Sequence, residues 1–239
     1  MALNILHIPV NFGCEIGHLW YIYMLIGLYL VTPIISPWLQ QASKRELEGY
    51  LGLWIITTFI PYIHLVYPEV LGEAFWNDTP LLYYFTGFIG YFILGYYLKR
   101  FGYPSAALSW IILIVGFALS AGIFCSRIDT VPTVPELELS WGFCTVNVFL
   151  MTLGLFSLIG RLSLKGKNAA CKLLSDISIK SYGMYLAHIL FLNFYYGLFK
   201  SISDAAYVTI PLIAVCTFIT VYIFVYLLSY LPKSKYIIG

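Results

Sequence analysis

An all-α, polytopic membrane helix bundle is the fold class this sequence predicts, and three observations predict it. The 239 residues are 61% hydrophobic, 18% aromatic and only 10% charged, whereas a soluble domain averages about 45–50% apolar and about 25% charged. The apolar residues gather in long runs that are apolar on every side, the pattern of a membrane helix rather than of an alternating barrel strand. The basic residues fall between those runs, in alternate loops. An ordinary soluble enzyme, a disordered chain and a disulfide scaffold are excluded. A net charge of +2 also argues against a nucleic-acid partner.

A helix needs about 20 mostly apolar residues to cross a hydrocarbon core of about 30 Å. Seven such runs can be read, roughly Leu19–Leu39, Tyr50–Val66, Leu81–Leu98, Ala106–Phe124, Trp141–Ile159, Ile179–Phe199 and Tyr207–Leu231. Pro33 in the first and Pro61 in the second predict kinks, because proline frees a carbonyl one turn back that must find another donor. Gly87, Gly90 and Gly95 in the third predict close helix packing; a phosphate-binding loop would need a strand before it. Asn147 in the fifth and Asn193 in the sixth predict hydrogen bonds between helices.

Orientation follows from the basic residues. Lys44 and Arg45, Lys99 and Arg100, Arg161, Lys165, Lys167 and Lys172, and Lys233 and Lys235 all fall on one side, with Lys180 at its edge. Only Arg127 and Lys200 fall on the other. The N-terminus is therefore predicted outside and the C-terminus cytoplasmic. Trp20, Tyr21 and Trp141 sit at outer ends and Trp38 and Trp110 at inner ends, as interfacial aromatics do. The loops are too short for a second domain, so residues 1–239 read as one transmembrane domain. The inner stretch Gly160–Ser178 is basic and predicts a partial surface helix. Met1–Gly17 lacks the charged start of a secretory signal.

Five cysteines show no metal-ligand spacing, and no metal site is predicted. Cys125 and Cys144 lie near the outer face, where either free thiols or a disulfide would be tolerated. Asn77-Asp78-Thr79 is a glycosylation sequon that would matter only in a secretory pathway.

Ionisable groups inside a membrane are costly and are functional candidates. His188 stands about ten residues into the sixth run, about 15 Å deep by helical rise. Ser181, Tyr185 and His188 fall at i, i+4 and i+7, one stripe of hydroxyl, phenol and imidazole. Such a stripe can bind a polar substrate or relay a proton; it can equally bond a neighbouring helix. His18 stands at the outer end of the first run, beside Glu15. His64 and His7 read as solvated interface.

Two stretches carry a resemblance. Residues 18–33 read His-Leu-Trp-Tyr-Ile-Tyr-Met-Leu-Ile-Gly-Leu-Tyr-Leu-Val-Thr-Pro, and residues 177–188 read Ile-Ser-Ile-Lys-Ser-Tyr-Gly-Met-Tyr-Leu-Ala-His. They resemble, in the same order, the two helices "HLWFLY…GLYL…P" and "SFGIYLxH" of the acyltransferase-3 family of integral-membrane O-acyltransferases. The resemblance implies transfer of an acyl group, commonly acetyl, from acyl-CoA as co-substrate, with no bound cofactor. It implies a hydroxyl of a surface glycan or glycolipid as acceptor, membrane lipid as surroundings, and a bacterial inner membrane as location. It places His18, Trp20, Tyr21, Ser181, Tyr185 and His188 around a substrate cavity. The basic residues Arg161, Lys165 and Lys167 are candidates for the CoA phosphates, or serve as a topology signal alone. The family also carries helices ahead of the first motif, one of them bearing its proposed catalytic His after an Arg or Lys. The seven runs here correspond to its later helices, so the resemblance assigns no catalytic His in this chain and predicts a shortened form, either active or inactive alone. A glycan or lipid transporter or flippase is the alternative, since a cavity rich in aromatics and poor in charge also suits a sugar. A seven-helix receptor would share the topology but no signature of one is present.

Overall fold

The computed structural model describes residues 20–162, 169–200 and 205–234. Among these the chain is helical, and the only β pairing is an isolated bridge between Ala74 and Asn77. The helices are α1 (Trp20–Gln41), α2 (Lys44–Thr57), α3 (Ile60–Ile63), α4 (Ile89–Phe101), α5 (Ala106–Arg127), α6 (Val134–Leu137), α7 (Val146–Gly160), α8 (Ala169–Lys200) and α9 (Ala206–Leu228), with 3-10 turns at Tyr83–Phe85 and Glu138–Trp141.

Among the described residues three helices, α1, α5 and α9, are long and apolar enough to cross a membrane. The segments Val134–Trp141 and Val146–Gly160, bent by 43°, make a fourth when read as one broken span. Of the remaining runs, the second and third are not continuous helices. The second is divided between α2 and α3, because Pro61 has no N–H to continue a helix and instead heads a new one. The third opens as a 3-10 turn and reaches α4 only after Gly87, whose φ of 82° is the left-handed region that glycine tolerates. The sixth lies inside α8, a 32-residue helix about 48 Å long. That helix includes Ala169–Ser178 of the basic inner stretch, continuous with the sixth run.

The chain divides into two compact units, Tyr23–Ser163 and the combination of Met1–Ile22 with Leu164–Gly239. In the first, Trp54 is wholly buried, and its indole N–H donates to the Gly87 carbonyl at 3.0 Å. Its rings pack edge-on against Tyr91 and Phe149. Gly90 makes room for it, since a Cβ there would stand 2.0 Å from the indole. The antiparallel pair α5 and α7 meets backbone to backbone. A Cβ on Gly116 would lie 2.7 Å from the Met151 nitrogen, and one on Gly154 2.7 Å from the Leu113 nitrogen. Small residues permit this approach, which membrane helices use in place of hydrophobic burial.

Asn147 closes the same unit with the predicted interhelical bonds. Its side-chain amide donates to Ser120 Oγ (2.6 Å) and the Ser140 carbonyl (2.8 Å), and its Oδ1 accepts from the Tyr62 hydroxyl (2.6 Å). At the other end of the unit, Arg100 donates to the carbonyls of Leu39 and Ala42 that α1 leaves open. Pro33 and Pro37 stand inside α1, where Thr32 and Ser36 hydroxyls donate to carbonyls one turn back. His64, read from sequence as solvated interface, is paired with Glu73 at 2.7 Å. Cys125 and Cys144 are free thiols.

Candidate functional site

The second unit contains a groove of about 400 Å³ between α8 and α9. One wall carries Ser181, Tyr185 and His188; Met184, Thr217 and Val221 complete its middle. The helical period is the cause. Positions 181, 185 and 188 lie on one face of α8, while Val221 and Val225 of α9 pack on Met184.

The imidazole has a fixed orientation. Its Nδ1 lies 2.5 Å from the Tyr185 carbonyl oxygen, an atom that only accepts, so Nδ1 carries the proton and donates. In the neutral ring Nε2 then holds the lone pair. The Tyr185 ring lies 5.6 Å from the imidazole, centroid to centroid. Ser181 donates its hydroxyl proton to the Ser178 carbonyl at 2.8 Å, which leaves the oxygen able to accept from a ligand.

The first turn of α1 joins this wall. Tyr21 packs on Tyr185 with centroids 5.0 Å apart, and Trp20 stands edge-on to Tyr21 at 6.1 Å. Five of the six sequence-predicted cavity residues are thus gathered in one place, from stretches far apart in the chain. His18 lies outside the described residues, as do Lys165 and Lys167. Arg161 is described, and its Nη2 donates to the Tyr103 and Pro104 carbonyls. That contact ties the end of α7 to the start of α5 within its own unit.

Sequence reasoning passed over two features of the site. Lys180 is buried and ion-paired with Asp176, and its ammonium lies 5.3 Å from the Tyr226 ring centroid. Tyr222 donates its hydroxyl to the other Asp176 oxygen at 2.7 Å. The hydrogen bond from Lys180 and that from Tyr222 hold the Asp176 carboxyl below its ordinary pKa. The signal was present as an acid and a base spaced i, i+4. The other is Thr217, one of three threonines in the apolar α9, which no spacing rule picks out. The charged pair is internally neutralised, so the groove itself presents hydroxyls and an imidazole.

The acyltransferase-3 family model, described as an acyltransferase domain, matches residues 9–230. No curated protein and no solved structure matches the chain.

Proposed function

The chain belongs to the acyltransferase-3 family, and on that premise we propose that it moves an acyl group, acetyl first of all, from acyl-CoA to a hydroxyl of a surface glycan or glycolipid. The family match over residues 9–230 carries this reading. It runs through both compact units, which supports taking residues 1–239 as one acyltransferase domain. The long apolar helices make it an integral membrane protein. The distribution of basic residues supports seven spans with the N-terminus outside and the C-terminus cytoplasmic, and the family resemblance supports a bacterial inner membrane as the location.

The reaction needs the acceptor oxygen to attack the thioester carbonyl, its proton to pass to a base, and the carbon–sulfur bond to break with CoA leaving as the thiol. The transition state is an oxyanion that needs hydrogen-bond donors. In this reading Tyr21, Tyr185 and Trp20 give the sugar apolar faces to lie on, and Ser181 and His188 Nε2 orient its hydroxyls. His188 has an orienting role and is not assigned as the base. Arg161, with Lys165 and Lys167, is the proposed contact for the CoA phosphates.

The test is transfer of label from acetyl-CoA to purified cell-envelope glycan, with the protein in membranes. Labelled glycan is the expected product. Translocation of glycan across vesicles without any transfer would overturn the reading in favour of a transporter.

A further inference from the structure

Thr217 is 6% exposed, and its Oγ1 is buried without a hydrogen-bond partner. It also lines the α8–α9 groove. A buried hydroxyl without a partner is a rarity in a folded chain and is destabilising. Helix threonines usually avoid that cost by donating to the carbonyl one turn back, as Thr32 and Thr209 do here. Thr217 departs from this habit in the one stretch of α9 that walls the groove.

We infer that Thr217 is a ligand-binding residue, whose hydroxyl pairs with a neutral, hydroxyl-bearing ligand in the groove opposite Ser181 and His188. The inference rests on the groove being the acceptor site. Threonine populates two χ1 wells in a helix, and stepping between them exchanges Oγ1 with the methyl group. A ligand oxygen entering the groove thereby meets a hydroxyl that has no bond to give up. The alternative class of ligand, an anion, meets no Lys or Arg among the described groove-lining residues. Lys180, the nearest base in sequence to Ser181, is held by Asp176. The polar complement is therefore that of an uncharged sugar headgroup rather than of the phosphates of an acyl donor.

The experiment uses the full chain in lipid nanodiscs, titrated with a short-chain alkyl glucoside below its micelle concentration, and separately with an alkyl phosphate of equal chain length. Binding is read as a rise in melting temperature. The glucoside is expected to raise the melting temperature and the phosphate to leave it unchanged. Thr217→Val keeps the shape and removes the hydroxyl. It should weaken glucoside binding about three- to tenfold, the range of one neutral hydrogen bond, without lowering the melting temperature of the free protein. Thr217→Ser should bind as the unaltered chain does. Equal glucoside affinity in Thr217→Val, absence of glucoside binding, or preference for the phosphate would each overturn the inference. Failure of acetyl transfer with Thr217-dependent glucoside binding would instead overturn the enzymatic reading and leave this site standing.

Discussion

The Nδ1 proton of His188 points at the carbonyl of Tyr185, 2.5 Å away in the preceding turn of α8. A side chain that binds its own helix this way cannot rotate freely, so the ring is held in one orientation in the groove wall that it lines with Tyr185. Fixed orientation of a polar group towards its substrate is what a positioning residue requires. Removing it with His188→Ala is expected to lower acyl transfer about ten- to a hundredfold, with the protein still folded. His188→Asn retains a donor to the Tyr185 carbonyl but no acceptor at the Nε2 position, so it should fall with alanine. A rate unchanged in His188→Ala would remove His188 from the site.

The α5–α7 contact depends on two missing side chains. Gly154→Ala puts a methyl group 2.7 Å from the backbone of Leu113 and from the carbonyl of Ser109. Backbone cannot step aside as a long side chain can, so the helices must separate, at about 1–3 kcal/mol. Gly122, on the same α5, has nothing within 4 Å of its Cβ position. There alanine should be neutral or stabilise by up to about 1 kcal/mol. Thermal unfolding of the two variants side by side checks the pair, and equal melting points would show that the close approach is dispensable.

How much of this was legible in the sequence depended on the scale of the signal. Composition and run length identified α1, α5 and α9, because continuous apolar helices need nothing else. They misjudged the ends of Tyr50–Val66 and Leu81–Leu98, where single backbone events at Pro61 and Gly87 decide the path and hydropathy does not register them. The stripe Ser181, Tyr185, His188 was legible because helical spacing alone places three residues on one face. Its meeting with Tyr21 is a tertiary contact that motif resemblance implied and periodicity could not. Thr217 was invisible, since its distinction is a bond it does not make.

The Asp176–Lys180 pair separates a charge that is needed from one that is merely tolerated. Lys180 is 10% exposed at its side chain and Asp176 32%. Asp176→Asn leaves the buried ammonium without a counter-charge and weakens the acceptor for Tyr222. Lys180→Met removes the buried charge and keeps the stem that packs by Tyr226. The asparagine variant should therefore melt several degrees below the methionine variant. The reverse order would show that the Lys180 ammonium stabilises the fold in its own right and is not merely tolerated there.

The start of α2 gives a dependence on pH. Ser43 Oγ accepts from the Glu46 backbone N–H, and Glu46 Oε2 accepts from the Ser43 backbone N–H at 2.7 Å, a reciprocal capping box. The hydrogen bonds from Ser43 hold the Glu46 carboxyl below its ordinary 4.5. A carboxyl whose pKa is lower folded than unfolded binds fewer protons when folded. Its contribution is then complete above the unfolded value and is lost as pH falls through the folded one. Glu46→Gln keeps a neutral acceptor and abolishes that titration. Melting temperatures taken at neutral pH and again near pH 3 should thus fall less in Glu46→Gln than in the unaltered chain. Equal acid sensitivity would mean that the box adds nothing to stability through its charge, and that Ser43 caps α2 by its hydroxyl alone.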